Sequence, residues 1–211
     1  MNLEFEIKYL LPFPGIKTEI IGKAVKTGVN EHKDFYFDTN DYSLMLTDRW
    51  LRWRIEQTQS KYWLKYRHSE LPLHTYLECD LPSDISNGLG MRPVAKSLEQ
   101  LHDDLLLAKI RPQFQIDTIR ETYYFDGLTI CFDQTDFGYH MVEVEKIVPN
   151  FTDLGAVTAA ENSIKRFAAS VGLVETNLFR KPVEFLRRNK PDIFQKLEMN
   201  GIIKTRETIP T

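Results

Sequence analysis

Two periodicities divide the chain. Across its first two-thirds, short runs alternate apolar and polar residues with period two, the spacing of a half-buried strand. The pattern predicts strands at Leu3 to Leu11, Lys33 to Asp38, Arg49 to Gln57, Tyr62 to Arg67, Thr75 to Leu81, Phe114 to Phe125, Leu128 to Asp133 and His140 to Val148. Asp126-Gly127, between Tyr123-Tyr124-Phe125 and Leu128-Thr129-Ile130, is the clearest hairpin signal, because that pair accepts the positive φ angles of a type I′ turn. Gln57 to Lys61 and Asp136 to Tyr139 read as turns of the same kind. Short turns between consecutive strands imply antiparallel pairing.

Helical spacing takes over at Gly15 to Lys26, Val94 to Lys109, Leu154 to Val171 and Lys181 to Leu197, the last broken at Pro191. Val94, Leu98, Leu101 and Leu105 form one apolar stripe, and Val157, Ala160, Ile164, Phe167 and Val171 another. Asn200-Gly201 supplies a stop. No repeat or compositional break interrupts the pattern, so the expectation is a single α+β domain over residues 1–200 with a tail at 201–211.

Composition narrows the function classes. With 27 Lys and Arg against 30 Asp and Glu, the 211-residue chain carries a net charge of −3 and lacks the basic excess of a nucleic-acid binder. Glu4, Glu6 and Lys8 interrupt the N-terminal apolar run, and no later stretch approaches the length of a membrane span. Cys79 and Cys131 are far apart and form no CxxC pair, which points to a reducing, cytoplasmic setting. His32, His68, His74, His102 and His140 have no metal-ligand spacing and read as surface or loop residues. Walker A, Rossmann, HExxH and GxSxG motifs are absent from the sequence.

The charges on the strands carry more information. Glu4, Glu6 and Lys8 alternate with Phe5, Ile7 and Tyr9, and Arg52 and Arg54 with Leu51, Trp53 and Ile55. Lys65 and Arg67 flank Tyr66, Glu78 and Asp80 flank Cys79, and Glu143 and Glu145 enclose Val144. Side chains two residues apart share a strand face at about 7 Å, where like charges repel unless something of opposite sign bridges them. A solvated face explains any single pair; the segregation of acids from bases asks for ligands. With apolar faces under the helices and charged faces inward, the sheet is expected to close into an eight-stranded barrel with a charged lumen. Acid pairs would offer hard oxygen ligands to Mg²⁺ or Mn²⁺, and Arg and Lys pairs donors to phosphate. Trp50 shares parity with Arg52 and Arg54 and is placed to stack on a flat cation.

These residues resemble a known family. Glu4-Phe5-Glu6-Ile7-Lys8 has the Glu-x-Glu-x-Lys form of the CYTH superfamily, the triphosphate tunnel metalloenzymes. Tyr36-Phe37-Asp38-Thr39, Ser43-Leu44-Met45 and Asp48-Arg49-Trp50-Leu51-Arg52-Trp53-Arg54 are similar to the animal thiamine triphosphatases within it. So are Asp136-Phe137-Gly138-Tyr139 leading to Glu143-Val144-Glu145, and Lys181 before Leu186-Arg187-Arg188. The resemblance implies a tunnel that binds a triphosphate with divalent cations and hydrolyses its terminal phosphate. It implies metal binding by Glu4, Glu6, Glu143 and Glu145, phosphate binding by Lys8, Arg52, Arg54, Lys65, Arg120 and Lys181, and contact of Trp50 with thiamine. Glu4, Glu6 and Lys8 would carry the catalytic role. Two departures stand out. The family's Asp-x-Asp on the seventh strand is Cys131-Phe132-Asp133 here, leaving Asp133 to substitute as a metal ligand, and either Glu78 or Asp80 meets the acidic position of the fifth strand.

The expected activity is Mg²⁺-dependent hydrolysis of thiamine triphosphate to the diphosphate and phosphate, by a monomer acting on a small molecule, with no nucleic-acid or membrane partner. The alternatives are an inorganic tripolyphosphatase of the same fold and a non-catalytic barrel that binds polyphosphate.

Overall fold

The structure, a computed structural model of the chain, describes residues 3–10, 14–67, 76–148, 153–174 and 178–203. Its strands are β1 (Leu3–Leu10), β2 (Val25–Asp38), β3 (Arg49–Ile55), β4 (Ser60–Tyr66), β5 (Leu77–Cys79), β6 (Arg111–Phe125), β7 (Leu128–Thr135) and β8 (His140–Val148). The helices are α1 (Pro14–Lys23), α2 (Pro82–Leu89), α3 (Leu98–Leu107), α4 (Leu154–Ser170), α5 (Lys181–Asn189) and α6 (Pro191–Met199). The strands make one eight-stranded antiparallel sheet in the order β1-β8-β7-β6-β2-β3-β4-β5. The α+β antiparallel architecture is the expected one. The order ends on β1 and on β5, so the ladder has two edge strands where a closed barrel has none. One of them, β5, is three residues long; His68 and His74 lie outside the described residues.

The local chemistry explains most boundaries. Asp126 and Gly127 both take positive φ, 46° and 75°, as the hairpin between β6 and β7 requires. The Ser97 side chain accepts from the Gln100 amide at 3.2 Å and starts α3 there, which leaves Val94 ahead of the helix. Asp153 caps α4 in the same way through the Ala156 amide at 3.0 Å. Pro191 begins α6, and Gly201 follows it at positive φ. Two elements escape the periodicity: α2, a short helix of mixed residues started by Pro82, and the first half of β2, whose residues from Val25 onward are mostly exposed and do not alternate.

The fold gathers into two compact units, Met1–His32 with Asp117–Leu178 and Lys33–Ile116 with Phe179–Thr211, and β2 and β6 contribute to both. In the first, Tyr9, Ile130, Phe132, Val142 and Val144 pack against Ile20 of α1 and Ile164 and Phe167 of α4. In the second, Phe37, Leu51, Tyr62 and Leu64 pack against Ile85 of α2 and Leu101 and Leu105 of α3. Strand parity does the rest in each unit: the apolar residues go under the helices, and the intervening charged residues go to the other face. His32 is the exception among the described histidines, buried on β2 rather than placed on a surface or loop.

Candidate active site

In the first unit, register assembles the charged face. Lys8 of β1 lies opposite Glu143 of β8, and Glu6 opposite Glu145. Cys131 of β7 lies opposite Glu143 on its other side, and Arg120 of β6 opposite Asp133. One carboxylate oxygen from each of Glu6, Glu143 and Glu145 falls within 4.8 Å of the others. Basic side chains are laced among them: Lys8 Nζ is 2.5 Å from Glu6 and 3.6 Å from Glu143. Arg120 holds Asp133 through two bonds of 2.7 Å, donates to Glu143, and stands 3.7 Å from Glu145. Glu4 is on β1 in register with Ile147, and its side chain lies outside the described part of the structure.

Burial would raise the Glu143 carboxyl, but Lys8 and Arg120 outweigh it and hold the group below the usual carboxylate range. Burial likewise works against the charge on Arg120, and Glu143 and Asp133 raise it well above its ordinary value. Cys131 contributes no charge, because burial pushes its thiol up to about 12. Glu6, Asp133, Glu143 and Glu145 therefore stand beside Lys8 and Arg120. The three grouped carboxylates, an all-oxygen donor set, fit a hard divalent cation such as Mg²⁺ or Mn²⁺. Asp133 is outside the three-carboxylate group, its oxygens engaged by Arg120.

The second unit holds the other basic candidates. Asp34 of β2 grips Arg54 in a two-bond pair of 2.7 and 2.8 Å and lies 3.6 Å from Arg52. Arg52 also reaches Glu78 at 3.3 Å. Lys65 is in register with both Trp50 and Glu78, and Lys61 binds Asp80 at 2.7 Å. Glu78 and Asp80, both metal-ligand candidates, are thus each set against a base. Lys181 is buried at the start of α5, where the helix dipole disfavours a cation, so helix stability does not account for it. The stack of Tyr36 on Phe114 (5.0 Å) and Phe114 on Phe185 (4.7 Å) docks α5 in this unit.

Trp50 is buried, with its Nε1 donating to Asp48 at 2.8 Å. Asp48 also accepts from Arg67 Nε at 2.9 Å, Tyr76 at 3.1 Å and Arg180 at 3.3 Å. The Arg180 guanidinium carbon sits 4.6 Å from the Trp50 ring centre and 4.5 Å from that of Tyr76. Burial would raise the Asp48 carboxyl; Arg180, Trp50 and Arg67 outweigh it and lower it. Asp34, Asp48, Tyr76 and Arg180 were not among the sequence candidates. Asp48 had a signal, since it stands two residues from Trp50, which shares the parity of Arg52 and Arg54. Arg180 had none beyond its neighbour Lys181.

Not every motif residue is chemical. Asp38 accepts from the amides of Thr39 (2.7 Å), Leu44 (2.9 Å) and Met45 (2.9 Å), so the Asp38-Thr39 and Ser43-Leu44-Met45 segments build a turn.

Residues 2–169 match the CYTH domain family. The chain belongs to that family. Macaca fascicularis thiamine-triphosphatase is 26% identical over 94% of this chain and 91% of its own length. Among solved structures, the PH1819 protein of Pyrococcus horikoshii OT3 superposes with a TM-score of 0.65 at 17% identity, covering 89% of this chain and 99% of that one. An adenylyl cyclase candidate of Hippeastrum, described as having a dominant triphosphatase activity, superposes with a TM-score of 0.56 at 14% identity over 92% and 95% of the two chains. These two share their fold with this chain. Membership and the triphosphatase-named relatives support a hydrolase of phosphoric anhydrides, and the grouped acids accord with the metal dependence general to CYTH proteins. No helix among the described residues is long and apolar enough to cross a membrane.

Proposed function

We propose that this CYTH protein hydrolyses thiamine triphosphate to thiamine diphosphate and phosphate, with Mg²⁺ as its metal. The observation that carries the reading is the convergence of Glu6, Glu143 and Glu145 beside Lys8 and Arg120, because carboxylates facing a polyanion are costly unless a cation stands between. Glu6, Glu143 and Glu145 would hold the metal, with Glu4 as a further candidate from the same strand. Bound there, the metal supplies charge cancellation on phosphate oxygens and a water of lowered pKa. Lys8 and Arg120 exchange part of their carboxylate contacts for phosphate oxygens and offset charge as the terminal bond breaks. Arg52 and Arg54 offer planar donors suited to phosphate, and Lys65 and Lys181 act as point charges. Trp50 supports the organic group.

One observation favours a second reading, hydrolysis of inorganic tripolyphosphate: the Trp50 ring already carries the Arg180 guanidinium. Phosphate release from thiamine triphosphate, tripolyphosphate and ATP, each with and without Mg²⁺, tests both. Mg²⁺-dependent release that is fastest from thiamine triphosphate supports the proposal. Preference for tripolyphosphate moves the assignment to the second reading, and no release from any of the three ends both.

A further inference from the structure

Arg180 is held more firmly than a surface arginine needs to be. Its guanidinium carbon lies over two aromatic rings, 4.6 Å from the centre of Trp50 and 4.5 Å from that of Tyr76, with its Nη2 3.3 Å from Asp48. Asp48 is itself buried; its Oδ1 accepts from the Trp50 indole N–H as well as from Arg180, and its Oδ2 accepts from Arg67. The Trp50 ring, the Tyr76 ring and a carboxylate form a seat for a flat cation, with Arg67 and Lys65 also facing the Tyr76 ring at 5.3 and 5.9 Å, and a guanidinium is flat, charged and weakly hydrated, which suits it to such a place.

The thiazolium ring of thiamine is also a flat cation. It would be drawn to the Trp50 ring and the same carboxylate, where the Arg180 guanidinium already lies. We propose that Arg180 is the specificity-determining residue of the Trp50 seat: it occupies the position of a cationic ring, so thiamine compounds are accepted only by displacing it, while triphosphates without such a ring leave it in place. The inference rests on the proposed function for the identity of the organic group. Among the described residues the seat is formed by Asp48, Trp50, Tyr76 and Arg180, with Arg67 on Asp48 and over the Tyr76 ring. In this arrangement Arg180 sets the ratio between the two candidate substrates through the organic group. Removing its charge leaves Asp48 with Arg67 as its one remaining charged partner here and opens the rings to an incoming cation.

The test uses the full chain with Arg180→Ala and Arg180→Gln, the glutamine keeping a donor toward Asp48 so that a folded variant is available if the alanine fails to fold. Thiamine itself, without phosphate, is titrated calorimetrically into each protein, and kcat/KM is measured for thiamine triphosphate and tripolyphosphate. A cation–π contact exchanged at a desolvated site is worth about tenfold, so thiamine is expected to bind about tenfold tighter to both variants than to the parent chain. The kcat/KM ratio of thiamine triphosphate to tripolyphosphate should rise by about the same factor. Unchanged or weaker thiamine binding in folded variants overturns the inference, and so does an unchanged or lowered ratio, the result expected if Arg180 only anchors its segment to Asp48. If the parent chain hydrolyses neither triphosphate, the proposed function fails, and the thiamine titration still decides the seat.

Discussion

Cys131 lies directly across from Glu143, on the face that carries Glu6 and Glu145, and brings a neutral thiol where another strand could have brought a charge. Affinity for a hard cation grows with the number of charged oxygens around it. Cys131→Asp is therefore expected to lower by about tenfold the Mg²⁺ concentration that protects the chain against heat, read from the unfolding midpoint against metal concentration. Glu143→Gln should act in the opposite sense and reduce Mg²⁺-dependent phosphate release by about a hundredfold or more, with circular dichroism confirming that the fold survives. Full activity in that variant removes Glu143 from the site. The residue scale is also where the sequence was only partly legible. Strand parity placed Glu6, Lys8, Glu143 and Glu145 on common faces from spacing alone. It could not supply register, and register decides that Arg120 meets Asp133 and that Cys131 meets Glu143. Arg180 lies in no strand and no stripe, so nothing in its spacing tied it to Trp50.

At the scale of elements, apolar periodicity located helices well and their ends less well. The stripe in α3 shows why. Leu101 and Leu105 are buried beneath the strands of their unit, whereas Leu98, one turn earlier, is 37% exposed. Leu101→Ala is expected to cost about 3 kcal/mol and Leu98→Ala less than about 1 kcal/mol, compared through denaturant midpoints. Equal costs would show that the stripe packs differently along its length. The extension of β2 back to Val25 was invisible for a physical reason: an exposed strand gains its stability from backbone pairing, which leaves no mark on side-chain pattern. The helix α2 was missed because Ser, Asn and Gly residues dilute its apolar face, although Pro82 at its first turn and Gly90 at its end are ordinary boundary residues. Where the pattern carried turn chemistry, as at Asp126-Gly127, the structure follows it closely.

For the molecule as a whole, acid stability follows from its paired carboxylates. The hydrogen bond from Lys17 leads the contributions that lower Glu121 to about 2, helped by Lys26 and Tyr123. For both Asp48 and Glu184, burial is outweighed by arginine partners that hold the group below its ordinary value. A group whose folded pKa is depressed adds stability above its unfolded pKa of about 4 and loses it as pH falls through the folded value. Asp38 works in reverse, since burial raises it and its ionisation opposes folding. Glu143 is lowered as well, so the depressed carboxylates outnumber the raised Asp38 and give the expected direction: the heat-unfolding midpoint should hold between about pH 5 and 7 and fall as pH drops below about 4. Glu121→Gln should lower stability near neutral pH by about 1 kcal/mol, a figure discounted for solvent screening of its partly exposed partners, and should flatten the acid limb. An acid limb unchanged in that variant would remove Glu121 from the balance.

The bidentate pairing of Arg54 with Asp34, and of Arg120 with Asp133, has a bearing on how an anion is received. Each guanidinium is fixed in one rotamer before anything binds, so the entropy of freezing a long side chain, about 0.5–1.5 kcal/mol apiece, is lost during folding and not again at binding. Such an arrangement favours ligands whose shape matches preset donors over ligands that carry only the right charge, and it makes rigidity itself a means of discrimination.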